Sequence, residues 1–259
     1  MIPTVNIYLV SYFSEPIVEK VIRRIKEVTI YPHRLIVGDN LSMHSTPIRK
    51  KLKELVDEKL IDKLFLYDDN YLSSVPKHMI TNDDTSDIII ITDYDAYIEN
   101  ITDPCWLTDY INEFESDKDV LMIQFYASNG NLSTNGVPFP RTNNDFCVSW
   151  KKTGEKCKAN GHFLALRRTV LDEYFKRYPN KPTVDGNLIL FIDELRRKEK
   201  IDYKKLRYDK SSVINLSTKL CKTDNVYKNI RRKLVGGGNY NNKNLLSLYN
   251  IKNFEVYRK

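Results

Sequence analysis

The fold class is decided by the stretch Ile88-Ile89-Ile90-Ile91-Thr92-Asp93-Tyr94-Asp95, which joins a continuously apolar, β-branched run to two carboxylates. Such an uninterrupted run is typical of a central strand in a parallel sheet that is covered on both faces. Ligands of open α/β sheets bind at the carboxyl ends of the strands. We therefore expect Asp93 and Asp95 to lie at the functional edge of a sheet.

Strand and helix patterns alternate upstream of this stretch. Apolar residues at spacings of three and four follow Pro16 and Pro47, and each proline stands in the first turn of a predicted helix. Short apolar runs predict strands at 5–10, 35–37 and 64–67. This order implies right-handed βαβ units and therefore a parallel sheet.

The pattern loosens after residue 100, where we predict shorter elements around a long polar segment. These elements are helices at 106–114, 169–178 and 187–200, and strands at 120–126 and 163–166. Residues 128–161 are polar, rich in Gly, Asn and Pro, and without periodicity. A loop of this length inside a compact domain is usually functional, such as a lid or a binding loop.

The net charge of +7 is distributed unevenly along the 259 residues. Residues 1–200 hold 27 basic and 30 acidic side chains, a net of −3, whereas residues 201–259 hold 14 basic and 4 acidic ones, a net of +10. The chain is therefore a mildly acidic body with a basic tail. An acidic body argues against nucleic acid as a partner, because binding to phosphates relies on basic side chains.

Cysteine spacing and the N-terminal residues predict a cytoplasmic protein. The four cysteines show no C-x-x-C spacing, so we expect reduced thiols and no disulfide frame or zinc site. The N-terminus lacks the basic and apolar regions of a signal peptide, and no stretch reaches the ~18–20 apolar residues of a membrane span. An Asn-, Lys-, Ile- and Tyr-rich composition hints at an AT-rich genome, and for a viral source the compartment is the host cytoplasm.

Two acidic positions predict a site for a metal and a nucleotide. Carboxylates two residues apart, as in Asp93 and Asp95, can approach one hard divalent cation, Mn²⁺ or Mg²⁺, together with a nucleotide diphosphate. Asp39 ends the second strand, so we expect it to face the same crevice and to accept hydrogen bonds from a base edge or a ribose hydroxyl. The alternatives are solvated acids that cap a strand end, and for Asp39 a turn-forming role. The sequence has no glycine-rich phosphate loop.

Several segments, taken in this order, resemble GT-A glycosyltransferases, close to family two of the nucleotide-sugar-dependent enzymes. The first motif is Tyr12-Phe13-Ser14-Glu15-Pro16, which is similar to an opening Tyr-Asn-x-Glu turn with Phe13 in place of Asn. The motifs that follow it are Asp39-Asn40-x-Ser42, Asp69-Asn70, the Asp-x-Asp motif Asp93-Tyr94-Asp95, and residues 159–168, which end in Arg-Arg. The resemblance covers about residues 5–215. It implies an α/β fold with a Rossmann-like, mostly parallel sheet flanked by helices.

The resemblance also implies the reaction and the donor side of the site. A sugar moves from a nucleotide diphosphate, with UDP the commonest base in such enzymes, to a hydroxyl of a glycan or another acceptor. The displacement is direct and inverting, and a divalent cation stabilises the departing diphosphate. Asp95 is the principal metal ligand, with Asp93 nearer the ribose and a metal-bound water. The donor-binding residues are Ser11, Tyr12, Glu15, Asp39, Asn70, Asp93 and Tyr94.

The catalytic base and the acceptor side follow less directly from the resemblance. A carboxylate takes the acceptor's proton, and Asp193 matches the acid-Leu-Arg pattern better than Asp185. The alternative is that Asp193 and Glu194 belong to an exposed helix face, paired with basic residues that follow them. The acceptor-side candidates are Trp150, Gly161 and His162. Related enzymes often carry a late metal-binding histidine, and this chain has Asn215 at the comparable place.

The resemblance divides the chain into a GT-A catalytic domain at 1–217 and a basic C-terminal extension at 218–259. The donor half of the domain spans about residues 1–100 and the acceptor half about 101–217. The extension has three alternative roles: contact with an anionic membrane or glycan, bracing of a dimer, or a solvated tail. Two other functions compete: a sugar-phosphate nucleotidyltransferase, disfavoured because residues 11–16 contain no glycine, and a non-catalytic nucleic-acid or anion-binding protein that uses the basic tail.

Overall fold

A computed structural model of the chain describes residues 2–12, 15–40, 45–71, 74–83, 86–100, 105–118, 120–124, 126–127, 164–181, 212–215 and 254–258, and the single positions 187, 188, 191, 192, 194, 195 and 251. The helices are α1 (Glu15–Val28), α2 (Ser45–Asp57), α3 (Val75–Thr81), α4 (Trp106–Ser116) and α5 (Arg168–Arg177). The strands are β1 (Val5–Ser11), β2 (Arg34–Asp39), β3 (Lys63–Tyr67), β4 (Ile88–Asp93), β5 (Ala96–Asn100), β6 (Met122–Gln124), β7 (Tyr126–Ala127), β8 (Leu164–Arg167), β9 (Ser212–Asn215) and β10 (Phe254–Tyr257).

Seven strands form the larger sheet, in the order β10-β3-β2-β1-β4-β8-β6. The four strands β3, β2, β1 and β4 are parallel, as the alternating pattern predicts. Strand β4 lies between β1 and β8, and the prediction of a central strand at Ile88–Thr92 is therefore confirmed. The mixed character of the sheet comes from β8 and β10, which run antiparallel to β4 and β3 respectively.

Helices cover both faces of this sheet, and the alternation of side chains along the strands supplies a core to each. On one face, residues such as Ile7 and Ile90 pack with apolar side chains of α1, α2 and α4. On the other face, residues such as Tyr8 and Ile89 pack with α3, α5 and the helical positions between 187 and 195. The continuous isoleucine run of β4 is thus explained, because both of its faces are buried.

Four elements were not predicted from the sequence, and one predicted strand is divided. The unpredicted elements are α3, β5, β9 and β10. The predicted strand at 120–126 is wrong as a single element, because β6 belongs to the larger sheet and β7 to a second sheet of order β5-β9-β7. The chain changes sheets between these two short strands.

Strand β10 lies within the segment predicted as a basic extension. It pairs antiparallel with β3 through the register Phe254↔Tyr67 to Tyr257↔Leu64, and so covers the edge of the larger sheet. The ring of Phe254 packs 4.5 Å from the ring of His78 in α3 and 6.1 Å from that of Tyr67. Residues 254–257 are therefore an edge strand of the same sheet that carries β1 to β4.

Helix α3 packs very closely on the sheet. A Cβ atom added to Gly38 in β2 would lie 2.6 Å from Sδ of Met79 and 3.0 Å from Cγ1 of Val75. Only the absence of a side chain at residue 38 permits this approach. Just past the C-terminal end of α3, Oδ1 of Asp83 lies 2.8 Å from Nζ of Lys63, the first residue of β3, and both side chains are buried.

Within the part of the chain that the structure describes, no helix has the length and apolarity required to cross a bilayer. Cys105, the cysteine inside the described ranges, is a buried free thiol.

Candidate active site at the carboxyl edge of the larger sheet

The carboxyl ends of three adjacent strands meet at one edge of the larger sheet. Ser11 of β1 is in register with Asp39 of β2, and Val10 of β1 is in register with Asp93 of β4. The backbone N–H of Asn40 donates to the carbonyl of Ser11 at 2.9 Å, which extends the pairing past the strand end. Asp39 and Asp93 thus lie on either side of β1 at the same edge.

Asp39 is fully buried and is held by an arginine that sequence analysis missed. Nε of Arg49 donates to Oδ2 of Asp39 at 2.9 Å, and Nη2 of the same guanidinium donates to the carbonyl oxygen of Tyr67 at the end of β3. A carboxylate removed from water needs such a partner, because an uncompensated buried charge costs several kcal/mol. The sequence signal for Arg49 was weak, since a basic residue in an amphipathic helix is ordinarily solvated.

The segments that follow β2 and β3 are joined to each other beside this ion pair. Oδ1 of Asn40 accepts a hydrogen bond of 2.7 Å from the backbone N–H of Tyr71. The backbone N–H of Asn70 donates to Oδ1 of Asp69 at 2.7 Å, and the hydroxyl of Tyr71 donates to Asp68 at 2.8 Å. Burial, with the hydrogen bond to Asp68 as the second cause, raises the pKa of Tyr71 to about 12. The predicted donor residue Asn70 therefore lies in an ordered turn at this edge.

The acidic pair lies at the end of β4. Asp93 is the last residue of the strand and is half-buried, and Asp95 stands in the turn that leads into β5. The side chain of Asp95 is buried and makes no hydrogen bond or ion pair with any other described residue. A buried carboxylate without such a partner suits a hard cation, which prefers oxygen ligands. Among the described residues no group of three or more His, Cys, Asp or Glu side chains adds further ligands.

Two buried hydroxyls at the same edge have no hydrogen-bond partner in the described part of the chain. They are Oγ of Ser11, at the end of β1, and Oγ1 of Thr92, next to Asp93. Ser11 and Asp39 are register partners in neighbouring strands, so their side chains leave the same face of the sheet. A buried hydroxyl without a partner costs about 1–3 kcal/mol, which a polar group of a ligand can offset.

The remaining donor-side candidates lie at this edge as well. Tyr12 follows β1 and is half-buried, and Glu15 is the first residue of α1. Tyr94 packs partly against the core on the α1 face, and its backbone N–H donates to the carbonyl of Val10 at 3.0 Å. The fold thus gathers every donor-side residue named from the sequence at one end of the sheet.

Strand β9 brings Asn215 next to the acidic turn. Asn215 is in register with Ala96, the residue that follows Asp95. The second sheet therefore brings the position that the resemblance assigns to a late histidine next to the turn that carries Asp95. In this chain the position holds an amide side chain in place of an imidazole.

The candidates for the base and for the acceptor side lie outside the described residues; they are Asp193, Asp185, Trp150, Gly161 and His162. Glu194, the neighbour of Asp193, is described. Its Oε2 accepts a hydrogen bond of 2.7 Å from the hydroxyl of Tyr178, and its Oε1 lies 3.4 Å from Nη1 of Arg177. Glu194 is thus paired with residues at the end of α5.

No protein-family model and no curated protein matches the chain, whereas solved structures do. TarS residues 1–349 from S. aureus superimposes with a TM-score of 0.55 at 17% identity, covering 86% of this chain and 65% of TarS 1–349. The same protein in complex with UDP gives a TM-score of 0.53 at 12% identity and the same coverage. GalNAc-T7 with UDP, GalNAc and Mn²⁺ gives 0.51 at 11% identity, covering 83% of this chain and 42% of GalNAc-T7.

These similarities define the fold. The chain has the mixed α/β architecture of GT-A-type glycosyltransferases, and the fold predicted from the sequence motifs is confirmed. The chain spans about two thirds of the length of TarS 1–349 and less than half of GalNAc-T7.

Proposed function

We propose that this chain is a glycosyltransferase that moves a sugar from a nucleoside-diphosphate donor to a hydroxyl group of a glycan or other acceptor. The observation that carries the proposal is the convergence of Ser11, Asp39, Asp93 and Asp95 at the carboxyl edge of a GT-A sheet. Support also comes from neighbours of the same fold, TarS in complex with UDP and GalNAc-T7 with UDP, GalNAc and Mn²⁺. UDP is the donor nucleotide that we propose first.

Donor binding in this proposal uses the polar groups of the sheet edge. The Asp39 carboxylate accepts a hydrogen bond from the nucleobase, and the Ser11 hydroxyl gains the partner that it lacks among the described residues. Tyr12, Glu15, Asn70 and Tyr94 surround the base and the ribose. Asp93 lies nearer the ribose, as the resemblance to GT-A enzymes implies.

A divalent cation fits the acidic turn. Asp95 would hold it and Asp93 would hold a water bound to it, while oxygen atoms of the diphosphate complete its coordination. The cation would neutralise charge on the departing diphosphate. It would be needed for this role because the sequence has no glycine-rich phosphate loop. Burial of the Asp95 carboxylate supports this assignment, because the cation would compensate its charge.

The acceptor side completes the proposal. Asp193, or Asp185 in its place, takes the proton of the acceptor hydroxyl, and the sugar is transferred by direct displacement with inversion. Trp150, Gly161 and His162 form the acceptor side, where an aromatic ring can cover the apolar face of a sugar. The protein would act in the cytoplasm, and the part of the basic extension at 218–259 that lies outside β10 would contact a membrane surface or a second copy.

Isothermal titration calorimetry tests the donor and metal assignments together. UDP, GDP and dTDP are titrated with and without Mn²⁺ into the wild type, Asp95→Asn and Asp39→Asn, with Asp172→Asn as the control. Asp172 is an exposed α5 carboxylate in an i,i+4 pair with Arg168, so its loss should change nothing at the site. We expect Asp95→Asn to lower the Mn²⁺-dependent affinity by at least about tenfold, the effect known for weaker perturbations of metal sites.

Two results would overturn the proposed function. One is the absence of nucleotide binding by the wild type, and the other is unchanged Mn²⁺ dependence in Asp95→Asn. A nucleotidyltransferase is distinguished by incubation with UTP and a sugar 1-phosphate, which would release pyrophosphate. We expect no pyrophosphate and, with a UDP-sugar and an acceptor, release of UDP.

A further inference from the structure

The guanidinium of Arg49 joins the ends of two strands at the candidate site. Its Nε donates to Oδ2 of Asp39 at 2.9 Å, and its Nη2 donates to the carbonyl oxygen of Tyr67. The N–H groups of a guanidinium form a planar and rigid fork, so the two acceptors are held in a fixed relation. Arg49 thereby fixes the Asp39 carboxylate of β2 against the end of β3.

The helix that supplies Arg49 is itself firmly placed. Arg49 lies in the second turn of α2, directly after Ile48 and one turn before Leu52, and both of these are buried in the core on that face of the sheet. The Asp39 side chain is 0% exposed, whereas that of Arg49 is 26% exposed. The arginine therefore reaches from a packed helix to the buried acid at the carboxyl edge of the sheet, and part of its side chain faces solvent.

The chemistry of Asp39 then depends on this contact. A carboxylate accepts hydrogen bonds on both of its oxygen atoms, and Nε of Arg49 donates to Oδ2 of Asp39. A nucleobase that presents an imide N–H, such as uracil, can donate to such an acceptor. Cytosine presents a lone pair at the same ring position, so the carboxylate would repel it.

We infer that Arg49 is a positioning residue that sets the nucleobase selectivity of the donor site, because it holds Asp39 as an oriented carboxylate acceptor for a base with an imide N–H. This inference rests on the proposed function and adds to it a positioning residue. Removal of the guanidinium would take away a contact that orients the Asp39 carboxylate and would weaken mainly the hydrogen bond to the base. Contacts to the ribose, the diphosphate and the cation would remain.

The test compares UDP with CDP on the full chain. Dissociation constants for both nucleotides are measured by calorimetry in Mn²⁺ for the wild type, Arg49→Lys, Arg49→Gln and the control Arg23→Gln. Arg23 pairs with Glu19 and Glu58 on the surface and is more exposed than Arg49, so it matches the charge change away from the site. Lys keeps the charge of residue 49 and loses the rigid fork.

We expect both Arg49 variants to bind UDP roughly 10- to 100-fold more weakly, as for the loss of a hydrogen bond to a charged group, with CDP changed by less than about threefold. The preference for UDP over CDP should therefore collapse, while the control keeps it. In turnover assays the KM for the UDP-sugar should rise while kcat at saturating donor stays within about threefold.

Three outcomes would overturn the inference. Equal weakening of UDP and CDP binding means that Arg49 stabilises the fold or contacts the diphosphate. An unchanged preference for UDP over CDP in folded Arg49→Lys means that the guanidinium of Arg49 is not needed to orient Asp39. This comparison remains decisive if Arg49→Gln does not fold. A wild type that binds no nucleoside diphosphate removes the proposed function together with the inference, whereas the first two outcomes leave that function intact.

Discussion

Lys63 and Asp83 form a buried ion pair of 2.8 Å between Nζ and Oδ1, at the end of the sheet opposite to the candidate site. Nζ of Lys63 also donates to the carbonyl of Asn82 at 3.1 Å, and Arg34 approaches the second oxygen of Asp83 at 3.2 Å. The pair joins the start of β3 to the residues that follow α3. It anchors α3 far from any residue that we assign to catalysis.

Loss of one member of this pair should destabilise the protein and spare the site. We expect Lys63→Met to lower the free energy of unfolding by about 3–5 kcal/mol, because the Asp83 charge loses its closest partner. Chemical denaturation measures this change, with the exposed Asp172→Asn expected within about 0.5 kcal/mol of the wild type. A Lys63→Met protein as stable as the wild type would show that Arg34 alone compensates Asp83.

A methyl group at residue 38 should be poorly tolerated. Gly38→Ala places a Cβ atom 2.6 Å from Sδ of Met79, so α3 or the Met79 side chain must shift. We expect a loss of about 1–3 kcal/mol, the usual cost of overpacking, measured by thermal unfolding. The double variant Gly38→Ala/Met79→Ala relieves the clash, and additive losses in the double variant would show that the close approach is not the cause.

Mild acid should loosen the packing between α3 and β10. Burial lowers the pKa of His78 below its ordinary value of 6.5, and its ring lies 4.5 Å from Phe254 with Nδ1 3.0 Å from the Tyr67 hydroxyl. The folded state favours neutral His78, so its stabilisation is present above the unfolded pKa and is lost as the pH falls from 6.5 toward the folded pKa. Protection factors at residues 254–257, which correct the exchange rate for its intrinsic pH dependence, should therefore fall between pH 7 and pH 5.

The variant His78→Phe keeps an aromatic ring and removes this titration. It should flatten the pH dependence of the protection factors at 254–257. His33, whose pKa burial also lowers, lies between α1 and β2 and serves as an internal comparison. If His33→Phe flattened the pH dependence of the protection factors of β10 equally, the effect would be global and His78 would not be its source.

Removal of the Phe254 ring should weaken both the edge strand and the donor site. Phe254 packs on Phe65 and Tyr67, and the carbonyl of Tyr67 accepts from Arg49. We expect Phe254→Ala to cost about 2 kcal/mol, below the 3–5 kcal/mol of a fully buried ring, and to raise the dissociation constant for UDP. Val256→Ala, at a 43%-exposed position of the same strand, is the control. An unchanged UDP affinity in Phe254→Ala would show that β10 does not influence the donor site.

The parts predicted from the sequence are those with strong local signals. The isoleucine run of β4 and the helices that follow Pro16 and Pro47 are long and periodic, and the rule on strand ends then places Asp39 and Asp93 at one edge. Helix α3 has only seven residues, too few for a clear period. Strand β10 is short and lies in a basic, Asn-rich segment, and its stability comes from β3, which no local pattern indicates. The role of Arg49 likewise depends on a tertiary contact with Asp39.

The position of β10 has a consequence for the order of folding. About 190 residues of chain separate β3 from the strand that covers it, so this pairing has a very high loop-closure cost and should form late. Until residues 254–257 have been synthesised, the outer N–H and C=O groups of β3 remain open to pairing with other chains. A nascent or truncated chain would therefore expose an unpaired sheet edge next to the candidate site, and this edge could recruit other chains into aggregates until residues 254–257 pair with β3.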